Sequence, residues 1–207
     1  FPVVLLVPGS GPTDRDGNQL PPKGDLLAAL VNPGLRNDSL KMLGRGLALH
    51  GVAVLRIDKR GVAESRAAGP KEDDLSIPGS AADAAAWVRW LRADKRFTTA
   101  GVVGHSEGSL VGSLAGQAEK LNLFVSVCGP GRRLGVVLRD QLKGKLSKAS
   151  YGTADAILTK LEAGERVADV PADLRTLFRP SVQPFLITML APDPAAELGK
   201  LTCPVLV

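Results

Sequence analysis

The chain has 207 residues, 44% hydrophobic and 23% charged, the composition of one globular domain or of one domain with an insertion. No apolar run approaches the roughly 18 residues of a membrane-spanning helix. A formal net charge of +5 and a pI near 9.4 are mildly basic, and without a patterned basic groove they give no case for a nucleic-acid partner.

Residues 1–7 are a continuous apolar run from Phe1 to Val7, which predicts a strand covered on both faces. Residues 8–18 are rich in Gly, Pro, Asp and Asn and read as a long turn-rich loop. Residues 19–37 read as loop with one short helical piece. Asp38 or Ser39 can cap a helix reaching about His50, with Leu40, Leu43, Leu47 and Ala48 on one face and Gly51 ending it. Val52–Ile57 is the next strand, followed by the loop Asp58–Ser65. Beyond a polar stretch, Ser80 and Asp83 resemble a capping box for a helix to about Asp94, with Ala81, Ala84, Ala85, Val88 and Leu91 at helical spacing. Trp87 and Trp90 on that helix are read as packing residues.

Gly101–Gly104 reads as the central strand, and a helical pattern runs from Ser106 to about Lys120. Between them stands Gly104-His105-Ser106-Glu107-Gly108, a Gly-x-Ser-x-Gly sequence. In a strand–turn–helix context this pattern is a nucleophile elbow, holding a serine hydroxyl exposed above a sheet. Gly104 and Gly108 remove Cβ atoms that would clash across so sharp a turn. The competing reading is a Gly-rich turn of some other α/β sheet. Gly108, Ser109, Gly112, Ser113, Ala115 and Gly116 would let the helix approach the sheet closely. Leu123–Cys128 is the following strand.

Four strand–helix alternations predict an α/β fold: a parallel, doubly wound sheet covered by helices. After Gly131 the rhythm breaks. Residues 132–200 read as helical, with an apolar cluster at Phe178, Phe185, Leu186, Met189 and Leu190. This divides the chain into a core (1–131), an inserted helical lid (132–200) and the start of a further core strand (201–207). Both ends read as buried strands, so the chain is expected to be cut at each; a leader segment and the compartment, cytoplasmic or exported, stay open. Cys128 and Cys203 each border an apolar run, which predicts two buried thiols and no disulfide.

Three stretches, in order, resemble the α/β-hydrolase superfamily, and within it the lidded bacterial esterase and serine-peptidase-like branch. Pro8-Gly9-Ser10-Gly11-Pro12-Thr13-Asp14-Arg15-Asp16-Gly17-Asn18 looks like its oxyanion loop. Asp58-Lys59-Arg60-Gly61-Val62-Ala63-Glu64-Ser65 is similar to its Asp-x-Arg-Gly-x-Gly-x-Ser loop, with Ala63 where Gly is usual. Gly104–Gly108 is the elbow. The resemblance implies that Ser106 Oγ attacks an acyl carbonyl and that the backbone N–H groups of Ser10 and Glu107 stabilise the oxyanion. It also implies that the Asp58 and Arg60 loop braces the site. No cofactor and no metal is implied, and the partner is a small-molecule acyl ester.

The chain departs from the family where the triad should be completed. The family order is Ser, then Asp or Glu, then His. Here the two histidines are His50 and His105, and neither follows the serine. His105 occupies the variable elbow position and is read as structural. His50 ends a helix, where an imidazole suits the dipole. Asp14, Asp16, Asn18 and Asp25 loosely resemble a Ca²⁺ loop, but the glycine spacing is wrong, and these side chains are expected to hydrogen-bond their own loop. The basic run Arg132, Arg133, Arg139, Lys143, Lys145 and Lys148, set against Asp140 alone, reads as a solvated helix face, with attraction of acidic substrates as the alternative. Two classes remain: a serine ester hydrolase lacking part of its triad, this form being expected to be inactive, and a non-catalytic scaffold that binds a ligand or partner. Oligomeric state is not readable.

Overall fold

The computed structural model describes residues 1–19, 34–69 and 71–207. Asp25 and most of the 19–37 stretch therefore lie outside the described residues.

Five parallel strands form one sheet in the order β2-β1-β3-β4-β5. They are β1 (Pro2–Val7), β2 (Ala53–Arg56), β3 (Thr99–His105), β4 (Leu123–Val127) and β5 (Val205–Leu206). Pleat alternation sends β1 side chains to two different cores. Val3, Leu5 and Val7 join one large cluster, while Val4 and Leu6 join a smaller one with Leu40 and Val103. Helix α1 (Ser39–Leu49) covers the smaller cluster. Helices α2 (Ile77–Ala93) and α3 (Glu107–Ala118) cover the larger. The sheet is thus wound on both faces, as the alternation predicts.

The segment after β4 contains α4 (Leu134–Leu142), α5 (Lys148–Glu162), α6 (Arg175–Phe178), α7 (Gln183–Leu190) and α8 (Pro194–Leu198). Its buried residues, among them Leu158, Leu161, Leu174 and Phe178, belong to the same cluster as Val3, Leu5 and Val102 of the sheet. Polar ties reinforce this. Glu72 accepts hydrogen bonds from Ser181 Oγ at 2.5 Å and Arg179 Nε at 2.8 Å, and Ile77 N donates to Thr188 Oγ1 at 3.0 Å. The Arg179 guanidinium and Ser181 hydroxyl more than offset the burial of Glu72 and hold its carboxyl below the ordinary range.

Several details differ from the sequence reading. Helix α2 begins at Ile77, three residues before Ser80, capped by Ser76, whose Oγ accepts from Gly79 N at 3.1 Å. Pro78 in the first turn, where its missing N–H costs nothing, favours that start. Asp83, inside the helix, pairs with Arg60. Trp87 and Trp90 are 40% and 53% exposed, packing edge-to-face on each other while the small Ala face meets the core. In α1 the buried positions are Leu40 and Gly44, and Leu43 and Ala48 face outward. Asp38 precedes that helix at φ 49° without capping it, because its carboxylate accepts from Asn18 Nδ2 instead. Cys128 is exposed and Cys203 half-buried, both free: Cys128 sits in the turn beyond β4, past the covered part of the strand. Val205 and Leu206 form the edge strand and are exposed where a buried strand was expected.

Candidate active site

Strand β3 runs straight into the Gly104–Gly108 turn. His105 is its last residue, Ser106 is the N-cap of α3, and Ser106 N donates to Val127 O at 2.9 Å, prolonging the β3–β4 ladder by one bond. Ser106 has φ 53° and ψ −121°, a conformation an L-residue holds only under constraint. The constraint is visible in the neighbours. A Cβ at Gly104 would overlap the Gly108 carbonyl, and a Cβ at Gly108 would overlap the Val7 carbonyl. From the β4 side, Ser126 Oγ donates to Ser109 Oγ at 3.1 Å, and Ser109 Oγ donates to Gly104 O at 2.8 Å. These buried hydroxyls pin the turn without a side chain of any size.

The 8–18 loop lies against this turn. A Cβ on Gly9 would sit 3.0 Å from His105 Nδ1 and 3.3 Å from Ser106 Cβ. Three hydrogen bonds hold the loop's bend: Thr13 Oγ1 to Ser10 O at 2.8 Å, Gln19 Nε2 to Ser10 O at 3.0 Å, and Gln19 Nε2 to Thr13 Oγ1 at 2.9 Å. Glu107 opens helix α3, so its N–H belongs to the first turn, which has no intrahelical acceptor. The turn therefore brings together a strained serine, a helix N-terminus and the loop after β1.

No family model matches the chain. An esterase of Thermotoga maritima, EstD, is 29% identical over 206 residues, covering 100% of this chain and 45% of the relative. The chain thus spans under half the length of that protein. A solved esterase of Pyrococcus furiosus superposes with a TM-score of 0.57 at 17% identity, covering 99% of this chain and 59% of that one. The α/β hydrolase GrgF of a Penicillium species does so with a TM-score of 0.57 at 17% identity, covering 99% and 69%. The chain has the α/β-hydrolase fold.

Within this fold, Asp58 fastens the loop after β1 to the loop after β2. Arg15 N donates to Asp58 Oδ1 at 2.7 Å, Arg15 Nε donates to Oδ2 at 2.9 Å, and the guanidinium closes an ion pair. Glu64 N adds a bond to Oδ2 at 3.3 Å. Burial alone would raise the Asp58 carboxyl, but Arg15 more than offsets it and holds the group below its usual range. Arg60 does not join this cluster. It pairs with Asp83 on α2 through Nη2 at 2.5 Å and Nε at 2.9 Å, anchoring the far end of the loop.

Two side chains that the sequence reading gave no role lie at the centre. Lys59 Nζ donates to Gly9 O at 2.6 Å and to Glu107 Oε1 at 3.5 Å. A cleft of about 200 Å³ opens between the first two loops and α2, lined by Pro8, Ile57, Lys59, Ser80 and Trp87 among others. Neither Ser106 nor any residue of 132–200 lines it.

His50 stands at the opposite edge of the sheet. It precedes β2, whose Ala53 is in register with Val3 and so with Ala100, while Ser106 lies six residues further along β3. At the rise of a strand that separation is about 20 Å.

The acidic loop is occupied with itself and its neighbours. Asp14 Oδ1 accepts from Asp16 N at 2.9 Å and Asn18 N at 2.8 Å, and Asp16 pairs with Arg56. In the basic run, Arg139 bonds Asp155 at 2.6 Å and Glu162 at 2.8 Å on α5, Arg132 bonds Asp140 at 2.9 Å, and Arg133 lies 3.7 Å from Asp193. These acids come from elements packed against α4, so Asp140 is not the lone counter-charge the sequence suggested. Among the described residues, no helix is long and apolar enough to cross a membrane.

Proposed function

We propose that this chain carries the nucleophile of a serine hydrolase acting on carboxylic esters or related acyl compounds. The observation that carries the reading is the backbone of Ser106, held at φ 53° and ψ −121° between β3 and α3. Ser106 Oγ attacks the acyl carbonyl, and the N–H groups of Glu107 and Ser10 receive the developing oxyanion. The EstD relative, an esterase by name, supports an ester as substrate.

Residues 132–200 form a lid in this reading. They depart from the C-terminal end of β4, the sheet edge that carries Ser106, and fasten to the start of α2 at that same edge. Ligands of open α/β sheets bind there.

The base is missing from these residues. His50 lies at the wrong edge, and His105 Nδ1 is turned against Gly9. The 207-residue chain therefore turns over esters poorly. A serine hydroxyl without its base retains only the effect of binding and the oxyanion hole, roughly 10³–10⁴ over water in other serine hydrolases. The test compares this chain with the full-length gene product, using a fluorophosphonate probe and a p-nitrophenyl ester. Sluggish labelling by the chain, fast labelling and turnover by the full-length product, and loss of both in Ser106→Ala are expected. Inert full-length protein would favour a ligand-binding scaffold, and fast turnover by the 207 residues would place the base among them.

A further inference from the structure

The Lys59–Glu107 pair is a largely buried charge contact beside Ser106 that the proposed chemistry does not use. The Glu107 side chain is 3% exposed and that of Lys59 17% exposed. Glu107 Oε2 has no hydrogen-bond partner among the described residues. Burying such a pair gives little stability, because desolvation consumes the Coulombic gain, and apolar residues of like volume commonly serve as well. Packing therefore gives no reason for charge here.

The geometry gives one. Lys59 Nζ contacts two groups, Gly9 O at 2.6 Å and Glu107 Oε1 at 3.5 Å. The Gly9–Ser10 peptide is trans. In a trans peptide the carbonyl of one residue and the N–H of the next point in opposite directions. Holding the Gly9 carbonyl toward Lys59 thus fixes the Ser10 N–H on the other side of that peptide. Gly9 has no side chain to lock the plane, and Ser10 itself is exposed. Rotation of the plane would put a carbonyl where the donor belongs. The same ammonium holds the side chain of Glu107, the residue whose own N–H is the second donor.

We propose that Lys59 and the Glu107 carboxylate form a clamp that sets both oxyanion donors in register, making Lys59 a positioning residue for acyl transfer. The proposal rests on the oxyanion reading of Ser10 and Glu107 given above. It predicts an effect on the transition state with little effect on ground-state binding.

The test uses the full-length gene product with a p-nitrophenyl ester and a trifluoromethyl ketone, which binds as an oxyanion-bearing adduct. Lys59→Met is expected to lower kcat by about 10²-fold, as loss of one oxyanion donor does, with KM changed by less than about threefold. The ketone should weaken by a similar factor. Lys59→Arg keeps a cationic donor near the same carbonyl and should restore part of kcat. The double variant Lys59→Met/Glu107→Gln should resemble Lys59→Met alone, since parts of one device are not additive. It also leaves no buried charge without its partner, so it carries the test if the single variant misfolds. Wild-type kcat and ketone affinity in a folded Lys59→Met or in the double variant would overturn the clamp. Ser106→Ala separates the two readings: full activity there removes the nucleophile itself, whereas an inert Ser106→Ala beside an unimpaired Lys59 variant removes only the clamp.

Discussion

Asp58 shows how much a single residue can do to tie two loops together. Its carboxylate collects the Arg15 N–H, the Arg15 guanidinium and the Glu64 N–H, and so joins the loops after β1 and β2. Its folded pKa lies below the ordinary carboxylate value. The unfolded chain then binds the proton more readily than the folded one, so stability rises with pH through this window. The contribution is complete above the unfolded value of about 3.9 and is lost as pH falls through the lower folded value. Asp58→Asn should cost about 1–3 kcal/mol at neutral pH, the range for leaving buried donors without their acceptor. Denaturant titrations of both proteins should show a difference that narrows as pH is lowered from 7 through the depressed folded pKa of Asp58. A constant difference would mean that the carboxylate charge is not what holds the loops. The sequence flagged Asp58 as a brace through its resemblance to a known loop. It could not name Arg15, because 43 residues separate the partners and only the β2–β1 pairing brings them together.

At the level of elements, the start of α2 tests how caps are chosen. Ser80 followed by Asp83 matches a capping pattern, yet the helix opens at Ile77 with Ser76 as its cap. Two facts favour the earlier start. Pro78 fits the first turn, and Ile77 is fully buried at 0% exposure, its N–H satisfied by Thr188 from α7. Ser76→Ala should therefore destabilise the fold by about 1 kcal/mol, as lost N-caps do. Ser80→Ala, inside the helix at its fourth position, should fall within about 0.5 kcal/mol of wild type. Thermal unfolding of the two variants decides it, and the reverse order would return the cap to Ser80. The tight turn between β3 and α3 was legible from sequence for the opposite reason. Its geometry is local: Gly104, Ser106 and Gly108 meet within one turn, so spacing alone encodes the crossing of strand and helix.

At the scale of the whole molecule, the helices of 132–200 share one core with the sheet. Leu158 is completely buried in the cluster that also holds Leu5 and Val102. Truncation there should propagate. Leu158→Ala is expected to cost about 2–5 kcal/mol and to shift a single unfolding transition that the sheet and the 132–200 helices share. Two separated transitions, with the sheet unmoved, would make residues 132–200 an independently folding unit. Calorimetry with hydrogen exchange on β3 and α5 amides distinguishes the two.

The sequence by itself determined the first four strands, the winding of the sheet and the tight β3–α3 turn, because each follows from short-range periodicity or from glycines a few residues apart. It determined the helical character of 132–200 for the same reason. Only the tertiary structure decided which acids answer the basic run, since Asp155, Glu162 and Asp193 reach α4 from other elements. It alone turned Trp87 and Trp90 outward, because the sheet took the small Ala face of α2. It alone brought Lys59 between Gly9 and Glu107, residues 50 and 48 positions away, whose meeting depends on three parallel strands ending at one edge. Local pattern fixes an element; a contact between loops at the end of a sheet exists only once the strands are ordered.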